Sequence, residues 1–164
     1  ASLARFPGSF EQSWLDGMRA KLGLFSEEED DSALISSLLH WMLETGADYI
    51  NTLRALNPTD TSAYPLFAGA NFQAWHARWR DRLGRQDQSL DEAVMRMRAH
   101  HPEVVPRNHH VEAALQAASE KMEFSSLHKL LEALKNPYES RTDRSEYLKS
   151  PPSGTAPYQT FCGT

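Results

Sequence analysis

Cysteine is nearly missing: the 164 residues hold one, Cys162. A single thiol excludes an internal disulfide framework and a cysteine-built zinc site within the chain. It fits a reducing compartment. Glycine is scarce, with eight residues scattered singly. No phosphate-cradling loop occurs among them, neither G-x-G-x-x-G nor G-x-x-x-x-G-K. The nucleophile turn G-x-S-x-G is absent as well. No apolar run approaches the roughly 18 residues that span a bilayer. The opening ASLARFPGSF lacks the basic, apolar, small order of a signal peptide. Basic residues are outnumbered, 17 against 22 acidic, for a net charge of -5. That balance disfavours a general nucleic-acid-binding role.

What is present is ordinary globular material: 40% hydrophobic and 24% charged residues. This supports one domain with a real core. The apolar period is helical almost throughout. Val111, Ala114, Leu115 and Ala118 recur at i, i+3, i+4, i+7, and so do Leu127, Leu130, Leu131 and Leu134. A short polar turn between them predicts an antiparallel helix pair. Upstream, Phe10, Trp14, Met18 and Leu22 form a row that Gly23 should end. Ser9 with Gln12, Ser26 with Glu29, and Ser89 with Glu92 each read as a capping box. Leu34, Leu38, Trp41 and Met42 mark a second helix ending at Gly46. Asp48 to Leu56 marks a third, stopped by Asn57-Pro58. Residues 59–69 read as a loop whose Tyr64, Leu66 and Phe67 pack back. Phe72, Trp75, Trp79 and Leu83 mark a fourth helix, with Arg78, Arg82 and Arg85 on a separate exposed stripe. Leu90, Val94 and Met97 mark a fifth. The expected architecture is all-α: six to seven helices in antiparallel pairs over 1–137, then an extended proline-rich tail over 138–164.

Candidate chemistry is thin. The acidic run Glu27 to Asp31 reads as a solvated helix start, since consecutive helical residues point apart. A hard-cation site is the alternative. Arginines interleaved with Trp75 and Trp79 suggest single-strand stacking, but the tryptophans share the core stripe. His100-His101 and His109-His110 are adjacent pairs, a poor spacing for one metal ion. His40, His76 and His128 stand alone. No catalytic, cofactor-binding or metal-binding residue is assigned. Cys162, third from the end, reads either as an incidental thiol or as a redox thiol on a flexible arm.

Four stretches carry a family resemblance. They are Trp14 to Leu24 (WLDGMRAKLGL), Asp48 to Leu56 (DYINTLRAL), Val105 to Asn108 with Leu130 to Tyr138 (LLEALKNPY), and the tail with Pro151-Pro152 and Cys162. In this order they make the chain resemble the C-terminal third of the selenoprotein O family (SelO, YdiU in bacteria), in its cysteine-containing bacterial form. Gly163-Thr164 departs from the Ser-Ser ending of other members. The resemblance implies a larger, cytoplasmic parent with a protein-kinase-like fold. Such a parent binds ATP with Mg2+ or Mn2+ and transfers AMP to Ser, Thr or Tyr hydroxyls of proteins. Its nucleotide- and metal-binding motifs belong to the N-terminal two-thirds, and none occurs here. The chain is then scaffolding, inactive alone, with the kinase-like domain as its partner. A disulfide from Cys162 to that missing part is a further implication. The alternative is a stand-alone helical module that binds another protein.

Overall fold

The computed structural model describes residues 6–139 and 141–151. They form seven α-helices and two 3-10 segments, with no strand among the described residues. The helices are α1 (Phe6–Lys21), α2 (Asp31–Thr45), α3 (Tyr49–Ala55), α4 (Ala70–Leu83), α5 (Leu90–His100), α6 (Asn108–Lys121) and α7 (Ser125–Leu134). The 3-10 segments are Pro65–Ala68 and Thr142–Leu148. The all-α expectation is met. By compactness the chain divides into Ala1–His101 and Pro102–Thr164, a different cut from the one expected at 137/138.

The first unit is built on an aromatic core. Phe72, Trp75, Trp79 and Leu83 of α4 are all buried, as their spacing predicts. Phe67 of the 3-10 segment stacks on Phe72 with centroids 3.9 Å apart, and Trp41 of α2 leans on both. The two buried tryptophans of α4 also satisfy their indole N–H groups: Trp75 donates to Leu34 O and Trp79 to Leu22 O, both at 2.9 Å. This places Leu22, at the end of α1, directly beside α4. Tyr64 is partly buried against the same core, whereas Leu66 is more than a third exposed.

Helix ends follow sequence chemistry at most termini. Gly23 adopts φ +71, and the Leu24 N–H bonds to Arg19 O while the Gly23 N–H bonds to Ala20 O. That is the Schellman pattern. Gly23 also touches α5: a Cβ there would stand 2.9 Å from Ala93 O. Gly46 closes α2 at φ +65. Asp48 caps α3 by accepting from the Asn51 N–H. Ser89 and Glu92 form the full capping box of α5.

Two expected caps do not form. α1 begins at Phe6, so Ser9 and Gln12 lie inside the helix, and Gln12 bonds instead to Asp16. Pro7 fits a first turn because its missing N–H would be unpaired there anyway. α2 begins at Asp31, so Ser26 is no N-cap; its carbonyl accepts from Arg82. The row Phe10, Trp14, Met18, Leu22 also splits. Met18 and Leu22 are buried, but Phe10 and Trp14 are exposed. Residues four apart drift about 40° around a helix, so such a row winds off the core face. On α5, Ala93 and Met97 are buried, while Leu90 is more than a third exposed.

The second unit has a small core of Val104, Ala114, Leu130, Ala133 and Tyr147. α6 and α7 pack on each other across a short link that reverses at Met122, φ +53. Ala114, Leu130 and the partly buried Val111, Leu127 and Leu134 face inward; Leu115 and Leu131 are about half exposed. Thr142–Leu148, expected as extended tail, is a 3-10 segment that buries Arg144 and Tyr147. It is ordered because Tyr147 completes a core otherwise filled partly by alanines.

Candidate functional site

The strongest polar constellation lies where α1, α2 and α4 meet. Asp31 is fully buried, and two guanidinium groups converge on it. Arg19 Nε donates to Asp31 Oδ2 at 2.8 Å, and Arg82 Nε donates to Oδ1 at 2.7 Å. The Glu28 backbone N–H adds a third bond at 3.0 Å. Burial alone would raise the Asp31 pKa, but bonds from Arg82, the Glu28 backbone and Arg19 outweigh it and hold it below the usual value. Burial opposes the charge on Arg19 as well. The carboxylates of Asp31, Glu27 and Asp16 reverse that, and its pKa is raised.

An outer layer surrounds this node. Arg19 reaches Asp16 and Glu27 at 2.9 and 3.0 Å. Arg82 Nη1 stands 3.0 Å from Glu28 Oε1, an ion pair too oblique to be a hydrogen bond. Arg85 bridges Glu28 and Asp81, each at 2.7 Å. A cleft of about 480 Å³ borders the node, lined by Asp30, Arg78, Asp81, Arg82 and Arg85 among others. Asp31, Arg82, Asp81 and Arg85 are paired within the node and its outer layer, which ties three helices together, while Arg78 on the same cleft bonds to Ser37 Oγ at 3.1 Å.

The acidic run is therefore not simply a solvated helix start: Asp31 turns inward while Glu27 and Glu28 take arginines. Arg82 is likewise not on an exposed stripe, being 1% exposed. The spacing held the signal. Arg82 follows Trp75 and Trp79 at i+7 and i+3, on the core stripe. Asp31 precedes Leu34, Ile35 and Leu38 by three, four and seven residues. An acid and a base, each on a core stripe, are a pair waiting to be matched.

Histidines take separate places. His101 is buried, and its Nε2–H donates to Lys21 O at 2.6 Å. Burial, helped by the charges of Lys21, His100 and Arg54, pushes its pKa down to about 4. The Lys21 carbonyl opposes that shift but is outweighed. His100 Nδ1 lies 2.8 Å from Arg96 O. His76 sits against Trp79 and Phe72, 2.8 Å from Asn57 O. In the second unit the His109 and His110 rings are 4.1 Å apart, and His110 packs edge-on to Tyr147. Burial and the charges of His110 and Arg107 lower the His109 pKa. No group of three or more His, Cys, Asp or Glu side chains suited to one metal occurs among the described residues. Cys162 lies outside the described residues.

In the second unit, backbone carbonyls of the Asn136-Pro137 turn are the anchor. The Glu103 and Val104 N–H groups both donate to Pro137 O. Arg144 Nη1 donates to Asn136 O at 2.8 Å, and the Arg141 N–H to the Glu103 carboxylate at 3.1 Å. The stretches 14–24, 48–56, 105–108 and 130–138 thus supply helix ends, caps and turn clamps. None of the described helices is long and apolar enough to cross a membrane.

Comparison with known proteins gives a consistent picture. A family model described as Protein adenylyltransferase SelO matches residues 1–135. The protein nucleotidyltransferase YdiU of Syntrophotalea carbinolica is 48% identical over 99% of this chain. The proteins of that name from Bacillus cereus and Geobacillus kaustophilus are each 45% identical over the same share. The chain spans about a third of the length of these curated relatives.

Proposed function

Because the chain belongs to the protein adenylyltransferase SelO family, we propose that it is the non-catalytic helical part of a larger, cytoplasmic nucleotidyltransferase. That protein transfers AMP from ATP to Ser, Thr or Tyr hydroxyls of other proteins. The carrying observation is the share covered: nearly all of this chain aligns, but only about a third of each relative does. The Asp31 carboxylate does not fit a nucleotide-bound Mg2+ or Mn2+, because both its oxygens already face arginines. ATP and metal are then held by the other two-thirds, and the role of this part is to buttress them.

The test uses labelled ATP, Mg2+ or Mn2+ and a protein acceptor. The full-length protein should label the acceptor, and the 164-residue chain should not. Robust labelling by this chain alone would overturn the assignment. The redox proposal for Cys162 rests on its being the one cysteine of the chain. Its disulfide partner must therefore lie in the remaining two-thirds. Mapping disulfides in the oxidised full-length protein decides it: a Cys162 that is always free ends the idea.

A further inference from the structure

A cavity of about 180 Å³ opens within the second unit. Lys129 and Glu132 line it from α7; Arg141, Asp143, Arg144 and Glu146 line it from the Thr142–Leu148 segment and its N-cap. Its carboxylates already have partners. Asp143 takes two bonds from Arg141, one from Nε at 3.1 Å and one from Nη2 at 2.8 Å. Glu132 pairs with Lys135. Glu146 faces the Tyr147 hydroxyl, whose pKa is raised first by burial and then by that carboxylate.

Two cations of the cavity are not matched in this way. Lys129 forms no ion pair among the described residues, and its charge reaches Glu123 only through space. Arg144 is the more telling of the two, being 4% exposed. A guanidinium carries five N–H donors in a planar fork. Arg144 Nη1 donates to a neutral carbonyl, Asn136 O. The one carboxylate paired with Arg144 among the described residues is that of Glu139, 4.0 Å from Nη2 and itself 57% exposed. That separation lies beyond hydrogen-bond range. A buried charge is ordinarily both paired and hydrogen-bonded. Arg19 and Arg82, similarly buried, each bond to the Asp31 carboxylate, at 2.8 and 2.7 Å. Arg144 has no such bond, and it borders an open space that Lys129 borders as well.

The size and the charges of that space select its ligand. It is smaller than the roughly 300–1,000 Å³ of pockets for drug-sized molecules, so a nucleotide is too large for it. An arginine fork and a lysine point charge on two walls suit a compact anion with oxygens in several directions and more than one negative charge. A phosphate group has both properties; a carboxylate has two oxygens in one plane and a single charge. We propose that the cavity is a phosphate site, in which inorganic phosphate or the phosphoryl end of a small monoester sits between the Arg144 guanidinium and the Lys129 ammonium. Held from both walls, the anion ties the Thr142–Leu148 segment to α7. The site does not depend on the enzymatic reading.

Hydrogen exchange of the full-length protein reads this site locally, so phosphate bound elsewhere does not mask it. The probes are inorganic phosphate and glycerol 3-phosphate, each compared with chloride at matched ionic strength. With the probe at about ten times its Kd, exchange in the Thr142–Leu148 segment should slow about tenfold. Lys129→Ala alters an exposed side chain and should weaken the apparent affinity by roughly tenfold. Lys121→Ala, at an exposed lysine that does not line the cavity, should leave it unchanged. Arg144→Lys keeps the charge but loses the fork, and should abolish the protection. Because Arg144 also holds Asn136 O, the Lys129 variant is the one that decides. Slowing by inorganic phosphate alone supports a site for the free ion; slowing by glycerol 3-phosphate supports one for monoesters. No slowing with either probe, or slowing that Lys129→Ala leaves intact, overturns the proposal. AMP transfer is not part of the readout, so failure of the enzymatic reading leaves the result standing.

Discussion

The two units solve the same problem with different means. The first closes around two stacked aromatic pairs, with Trp41 tilted against one of them, and a buried ion-pair node. The second has five buried core residues, two of them alanines, and holds its turn with bonds to the Asn136 and Pro137 carbonyls. Apolar periodicity is as clean in α6 and α7 as in α4. Yet α4 buries its whole stripe, while Leu115 and Leu131 stay half exposed. Periodicity shows which residues are able to face a partner. The number of partners decides how many do.

The largest expected effect tests the node. Asp31→Ala leaves Arg19 and Arg82 facing each other in the interior without their shared buried carboxylate, with only the outer partners Asp16, Glu27 and Glu28 remaining. Breaking a buried pair this way costs about 3–5 kcal/mol. Urea unfolding followed by the fluorescence of Trp75 and Trp79 should show the loss. Deleting the exposed Glu132 partner of Lys135 should leave the stability of the second unit nearly unchanged. If the two deletions cost the same, the contrast between a buried node and a surface pair fails.

Acid provides the next test, and it separates two groups in the first unit. His101 has its pKa depressed to about 4 in the folded chain. The unfolded chain therefore binds its proton first as pH falls. The stability from keeping His101 neutral is complete above about pH 6.5 and lost between there and about 4. The shift corresponds to about 3 kcal/mol. His101→Gln keeps an N–H for Lys21 O and should flatten that window. Asp31 acts lower. Its folded pKa is below the unfolded value, so its contribution persists to about pH 4 and is lost only as pH falls through the folded value. Denaturant titrations from pH 7 to 3 should show two steps, and only the upper one should vanish in the His101 variant.

A smaller effect is expected in the second unit. Leu130→Ala empties much of a five-residue core, yet neighbours with so few constraints collapse readily. The cost should sit at the low end for such truncations, about 2 kcal/mol. Hydrogen exchange should quicken in α6, α7 and the Thr142–Leu148 segment. Equal quickening across α2 and α4 would mean that the units do not unfold separately.

Much of this was legible from residues alone. The α4 stripe, the Gly23 and Gly46 stops and the Ser89–Glu92 box each follow from local chemistry within a turn or two. The Asp31 node was not read, because its three members come from three helices and charge usually points outward. Only the match between core stripes betrays it. Segment 142–148 was missed because 3-10 turns lack the 3.6-residue apolar period. Its order comes from Tyr147, which packs with Val104 and Ala114 far back in the sequence, and from Arg144, which bonds to Asn136 O.

The smallest effect sharpens the contrast at two of the left-handed helix ends. Gly23 and Met122 both end helices with positive φ, +71 and +53. At Gly23 the neighbour Ala93 leaves no room for a side chain. At Met122 the side chain is 74% exposed and contributes little packing. Left-handed geometry costs a non-glycine residue about 1–2 kcal/mol. Met122→Gly should therefore stabilise the second unit, by about 1 kcal/mol once the flexibility of the unfolded chain is counted. The Met122 N–H bond to Ala117 O is backbone and survives the change. Chemical denaturation of the second unit, read by hydrogen exchange in α6, is the check. A loss of stability would show that the methionine side chain has a packing role despite its exposure, and that the turn of the α6–α7 pair is held by more than its backbone.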